Sequence, residues 1–214
     1  MKEVKIFQQM YRDGHVSRRE FLAAMGALGI TATTAGSLLT SASALAATPT
    51  RGGSVIFASN LHGPDDTLDP LLGTSTIDYT RANTSRNGLI QIWTDMSLHP
   101  EIAEEWSVNS NATEYTFKIR KGVTFHDGSG LTAEDVVWSM DRHRGEDSPS
   151  SIKSFFTNVT EWQAVDKYTV KLSLSSPDAD MPYKLTQPQA KIVKANATDW
   201  LTAGSGPYLV DSFQ

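Results

Sequence analysis

The side chains able to carry chemistry are scattered rather than grouped. Histidines stand at positions 15, 62, 99, 126 and 143, with neither the H-x-x-x-H nor the H-x-H spacing that puts two imidazoles on one metal ion. Cysteine is absent, which excludes disulfides, iron–sulfur clusters, thiolate zinc sites and a lipidated N-terminal cysteine. His126-Asp127 could supply half of a hydrolytic or metal site, but Gly128 follows directly, and the pair reads as a polar turn at a strand end. Glu101, Glu104 and Glu105 read as the solvated face of a single helical turn. Gly204-Ser205-Gly206 lacks the third glycine and the following helix of a dinucleotide loop, and Pro207 implies a fixed turn instead. Neither a G-x-S-x-G elbow nor a G-K-[ST] phosphate loop occurs. No cofactor, no metal and no enzymatic activity are therefore expected, and binding is the leading inference.

The bulk composition agrees with a soluble binding function. The 214 residues allow one domain of ordinary size or two small ones, and 39% hydrophobic with 20% charged residues is usual for a globular chain. No run of 18 or more apolar residues occurs, so an integral membrane protein is not expected. Of 19 Lys/Arg and 24 Asp/Glu, five and three fall in residues 1–46, leaving 14 basic and 21 acidic groups beyond. An acidic body argues against nucleic acid as a partner. Without cysteine, an exported chain must hold together by burial alone, which calls for a sizeable core.

Residues 1–46 read as an address. Ser17-Arg18-Arg19-Glu20-Phe21-Leu22 precedes a mildly apolar stretch, Ala23 to about Thr40, weakened as a helix by Gly26, Gly29 and Gly36. Ala44-Leu45-Ala46 then offers small residues at alternate positions to a signal peptidase. Paired arginines before a modest hydrophobic region mark the twin-arginine route, which implies a bacterial host and a periplasmic destination. The sequons at Asn111, Asn158 and Asn196 are discounted on that ground.

Beyond the address, the elements alternate. Ser54 to Ala58 reads as a strand, His62 to Pro70 as a loop, and Tyr79 to Trp93 as a helix, from the spacing of Leu89, Ile90 and Trp93. Glu101 to Trp106 is expected to form one helical turn. Tyr115, Phe117 and Ile119 alternate with polar neighbours in a half-buried strand, and Val123-Thr124-Phe125 is expected to continue the sheet. Thr132 suits a helix N-cap with Asp135 three residues on, Leu131 and Val136 can staple the start, and Arg142, His143 and Arg144 place favourable charge at the end. Trp162 to Leu174 reads as a hairpin turning at Asp166-Lys167. Met181 to Leu185 is a short helix, Ala190 to Val193 a strand, and Gly204 to Val210 a rigid turn leading into a strand.

Three blocks resemble the family-5 extracellular solute-binding proteins of ABC importers. They are Glu101-Ile102-Ala103-Glu104-Glu105-Trp106, Tyr115 through Gly128, and Leu131-Thr132-Ala133-Glu134-Asp135-Val136. Thr67-Leu68-Asp69-Pro70, Tyr168 to Leu172 and Gly204-Ser205-Gly206-Pro207-Tyr208 agree in order. Gly130 and Ser205 depart from the family's frequent Pro and Thr. The resemblance implies an incomplete α/β fold of the periplasmic-binding-protein type. Residues 1–46 would be the signal peptide, 47–85 and 188–214 two strips of the first lobe, and 86–187 an α/β domain inserted in it. The second lobe would be missing. It implies a peptide or other small solute as ligand and the permease subunits of an importer as partners. Ligand contacts would come from Gly73, Thr74, Ser75 and Thr76, presenting backbone to an extended ligand. Two alternatives stand beside this reading, an exported enzyme on the same scaffold and a non-functional truncated fragment.

Overall fold

A computed structural model of the chain describes residues 2–12, 15–31, 52–59 and 63–213. It forms two compact units, Met1–Phe57 and Ala58–Gln214. The cleavage site expected at Ala44-Leu45-Ala46 lies outside the described residues.

In the first unit, α1 (Lys2–Arg12) and α2 (Arg18–Ala27) pack together. Ser17 caps α2: its hydroxyl accepts from the Glu20 amide at 3.3 Å, and the Glu20 carboxylate accepts from the Ser17 amide at 2.7 Å. This reciprocal box satisfies two helix-end donors. Phe21 and Met25 are fully buried, with Val4, Phe7, Tyr11, Leu22 and Ile30 around them. The strand expected over Ser54–Ala58 does not form. Residues 52–59 carry no regular structure, and Ile56 is 93% exposed. β-branched residues favour extension, but a strand exists only with a neighbour's N–H and C=O beside it, and among the described residues none pairs there.

The second unit is built on a four-stranded antiparallel sheet. Its strands are β3 (Ala103–Val108), β4 (Glu114–Ile119), β5 (Val159–Asp166) and β6 (Thr169–Leu174), in the order β3-β4-β6-β5. A separate two-stranded ribbon joins β1 (Ile90–Ile92) to β2 (Leu98–Pro100). Alternation decides the faces. Tyr115, Phe117 and Ile119 of β4, Val170, Leu172 and Leu174 of β6, and Val159 and Trp162 of β5 turn inward. Thr116, Lys118, Lys171 and Ser173 stay wetter, with Lys171 2.6 Å from Glu114. Helix α4 (Ala133–Asp141) covers the inner face with Ala133, Val136 and Met140. Ala190 and Ile192 join the same core as Leu89 and Ile90.

Several expectations need correction. The helix read over Tyr79–Trp93 is α3, Thr76–Ser85. Arg86 takes extended backbone, and Ile90 opens the ribbon instead, with Leu89 just ahead of it. A short apolar group fits either period, and Asn87-Gly88 breaks the helix before it. Glu101–Trp106 is not a helical turn: Ala103–Val108 pairs with β4, with a bulge between Ala103 and Glu105. Glu104 and Glu105 are exposed there, but Glu101 is half-buried and accepts from the Gly88 amide at 2.8 Å. Val123–Phe125 makes only an isolated bridge, Thr124 to Gly130. Residues 191–194 join no ladder, after a 3-10 turn at Pro188–Ala190. Residues 207–213 form no strand. The capped helix start, the β5–β6 hairpin and the short helix α5 (Met181–Lys184) stand as expected.

Candidate functional site

The four residues expected to face a ligand lie at the entry of α3. Asp69 caps the 3-10 turn Pro70–Leu72, accepting from the Leu71 amide at 3.2 Å, and Pro70 starts the turn where no N–H is needed. Gly73 follows and is buried, Thr74 is exposed, and Ser75 is the N-cap of α3, of which Thr76 is the first residue. Sequence order alone keeps the four together.

What shapes this loop is Asp78. Its Oδ1 accepts from the Thr67 amide at 3.1 Å and from Arg81 Nη1 at 3.2 Å. Its Oδ2 accepts from the Thr74 and Ser75 amides, both at 3.3 Å, and from the Ser75 hydroxyl at 2.8 Å. Burial opposes the charge on Asp78, but the Thr67 amide, the Ser75 hydroxyl and amide, and the Thr74 amide outweigh it and hold the carboxyl below the usual range. The amides of Thr74 and Ser75 thus already have an acceptor. Gly73 O accepts from Gln189 Nε2 at 3.3 Å. The loop can offer a ligand the carbonyl and hydroxyl of exposed Thr74 and the side chain of exposed Thr76.

A charged cluster backs the loop. Arg142, from the end of α4, pairs with Asp69 through both guanidinium nitrogens, and its guanidinium carbon lies 4.8 Å from the Trp138 ring and 5.3 Å from Trp200. Arg86 is buried and donates to the Trp200 carbonyl at 2.7 Å and to the Ser85 hydroxyl. Burial lowers its pKa to about 10, against the attraction of Asp69. Gly204 and Gly206 sit on the same backbone: a Cβ on Gly204 would come 2.2 Å from Ser85 O, and one on Gly206 2.4 Å from Ser85 C. Here glycine is required by close approach. The Gly-x-Gly-Pro segment is therefore the clasp that closes residues 200–206 onto the end of α3.

The remaining polar candidates serve structure. His126 donates its amide to Gly204 O at 2.8 Å, and its Nε2 lies 2.9 Å from Gly206 O. Asp127 accepts from the Ser129 amide and hydroxyl and pairs with Lys194, which together lower its pKa. His143 does not add charge to the end of α4. It is buried, its Nδ1 lies 2.7 Å from Ser150 Oγ, and burial followed by the nearby Arg142 takes its pKa down to about 4. Among the described residues no three His, Cys, Asp or Glu groups converge as a metal site, and no helix is long and apolar enough to cross a membrane. Sequence reasoning missed Asp78, Arg86 and the Asp69–Arg142 pair. Ser75-x-x-Asp78 has the capping-box spacing that was read at Thr132-x-x-Asp135, so the first of these carried a signal.

The family described as bacterial extracellular solute-binding proteins, family 5 Middle, matches residues 97–214. The chain belongs to this family. Among family-5 relatives, the glutathione-binding protein GsiB of Pectobacterium atrosepticum is 30% identical over 148 residues, covering 66% of this chain and 29% of that protein. GsiB of Escherichia coli K12 is 28% identical over 69% of this chain and 30% of its own length. The chain thus spans about 30% of the length of these curated relatives. In structure it is similar to the binding protein AgaA of A. tumefaciens R10, solved with agropinic acid, at TM-score 0.66 and 29% identity, covering 71% of this chain and 32% of that one. It shares its fold with the ABC transporter-associated periplasmic binding protein DppA of Helicobacter pylori, at TM-score 0.58 and 23% identity, over 68% of this chain and 34% of the other. The α/β architecture expected from the family-5 blocks is the observed one.

Proposed function

We propose that this chain is the leading part of a periplasmic solute-binding component of an ABC importer, exported by the twin-arginine route, whose ligand is a peptide or peptide-like solute. The observation that carries the reading is the family-5 match over residues 97–214, together with a relative named for glutathione and one solved with agropinic acid. In this reading residues 47–85 and 188–214 are strips of a first lobe, 86–187 is the domain inserted in it, and the loop Gly73–Thr76 lies on one wall of a cleft. Asp78 freezes that loop, so little order is lost when a ligand meets it. Because Asp78 already accepts from the Thr74 and Ser75 amides, the wall recognises ligand N–H groups, through the Thr74 carbonyl and the Thr74 and Thr76 hydroxyls. One wall leaves most of the ligand in water, whereas binding pockets commonly bury about 70–90% of it, so the affinity of this chain alone is in the millimolar range.

The test is a titration of the isotope-labelled chain with glutathione and with a mixed peptide library up to tens of millimolar. Amide shifts confined to residues 73–76 and their neighbours are expected, and they weaken in Thr74→Ala. Shifts absent at the highest concentration, or centred elsewhere, would sink the assignment of this wall.

A further inference from the structure

The first unit holds an arrangement that its reading as an export signal does not explain. Arg18 and Arg19, the first two residues of α2, are exposed. One and two turns on, Phe21 and Met25 have no exposure at all. What covers them is α1: Val4, Phe7 and Tyr11 pack against them, and the Tyr11 and Phe21 rings lie 5.5 Å apart at 46°. The amphipathic α1 leaves Ile6 half exposed on its outer side. A receptor reading Ser-Arg-Arg-x-Phe-Leu as one epitope must meet both arginines and Phe21. Acidic groups would suit the first and an apolar pocket the second. The arginines are accessible, and Phe21 is withheld.

We propose that α1 is an intramolecular mask of the export signal, competing with the receptor for the apolar seam of α2, so that only the opened hairpin is competent. The inference rests on residues 1–46 being a twin-arginine signal. Isolated helices of this length are marginal in water, so the hairpin opens and closes, and apparent receptor affinity is scaled down by the open fraction. Ser17 and Glu20 cap α2 independently of α1. The arginine-bearing first turn therefore keeps its cap on opening while the turns from Phe21 onward fray, and the mask controls access to Phe21.

The experiment follows maturation of the full 214-residue chain by pulse-chase in a bacterial host with a twin-arginine system, for the parent, Phe7→Ala/Tyr11→Ala, Ile6→Ala and Arg18→Lys/Arg19→Lys. Alanine keeps α1 helical while removing its aromatic contacts. The double alanine chain should mature at least about threefold faster, Ile6→Ala should match the parent, and the lysine pair should block processing. In the purified precursor, the amides of residues 21–28 should exchange at least about threefold faster in the double alanine chain. If the lysine pair blocks processing but the double alanine chain matures and exchanges like the parent, the mask is wrong and the signal stands. If Ile6→Ala accelerates maturation equally, the seam is not what matters, and the mask is again wrong. If the lysine pair leaves processing unchanged, the signal reading itself fails, and the mask with it.

Discussion

Removing the Asp78 carboxylate should loosen the candidate ligand wall more than any other single change near it. Five donors converge on this group: the Thr67, Thr74 and Ser75 amides, the Ser75 hydroxyl and Arg81. In Asp78→Ala the α3 cap loses its reciprocal partner, worth about 1 kcal/mol. The loop amides lose charge-assisted bonds that water replaces in part, so the lower end of the usual range, about 1 kcal/mol each for two of them, is appropriate. The total is about 3 kcal/mol. With a urea slope of about 2 kcal/mol/M for a unit of this size, the midpoint should fall by about 1.5 M. Asp78→Asn keeps one acceptor oxygen and should lose about half as much. Tryptophan emission under urea reads the transition, since Trp138 and Trp200 flank the neighbouring Arg142. The pH dependence has a definite sign. The folded carboxyl is held below its ordinary range, so its contribution is complete above the ordinary aspartate value and is lost as pH falls through the folded one. The gap between parent and Asp78→Ala should therefore narrow on going from pH 5 towards pH 3. A midpoint drop of under about 0.3 M, or a gap that widens on acidification, would refute the picture of Asp78 as the hub.

Other outcomes follow from the clasp, the buried histidine and the ion pair. Gly206→Ala and Gly204→Ala force a Cβ onto the backbone of Ser85 and should each cost at least about 2 kcal/mol. Gly130→Ala meets nothing within 4 Å and should stay within about 0.5 kcal/mol of the parent in the same urea assay. His143 is held neutral with its pKa near 4, so stability should be full above about pH 6.5 and fall by about 3 kcal/mol as pH drops towards 4. His143→Gln should lack that part of the pH dependence, and an imidazole titrating at its ordinary value by NMR would contradict the assignment. A double-mutant cycle between Asp69→Ala and Arg142→Ala should return a coupling of about 1–2 kcal/mol. Additive losses would mean that the pair contributes nothing beyond its separate contacts.

Legibility in the sequence followed the length scale of the cause. Strand β4, the β5–β6 hairpin and the cap of α4 each rest on a local pattern of consecutive residues, and each formed where expected. The errors arose where a partner distant in sequence decides. Ala103–Val108 contains acidic residues that suit a helical turn, but pairing with β4 makes it a strand. Ala190–Val193 and Val55–Phe57 have β-favouring residues and no ladder among the described residues. At the candidate loop, Gly73 to Thr76 could be pointed to by resemblance. The carboxylate that engages two of its amides was missed, although Ser75 and Asp78 stand at capping-box spacing. Arg86 gave no local sign at all, since the carbonyl it donates to, that of Trp200, is 114 residues away.

The groove of about 290 Å³ along α3 has Leu68 on one side and Tyr208 to Phe213 on the other, with Arg81 reaching the Phe213 ring at 5.1 Å. The first and last stretches of the second unit are thus neighbours. Leu68, just ahead of α3, and Tyr208 to Phe213 therefore share one face of that helix. The same adjacency makes a circular permutant feasible: a short linker could run from Phe213 to a chain restarted just ahead of Leu68, and new ends could open in the exposed loop at Gly145–Asp147.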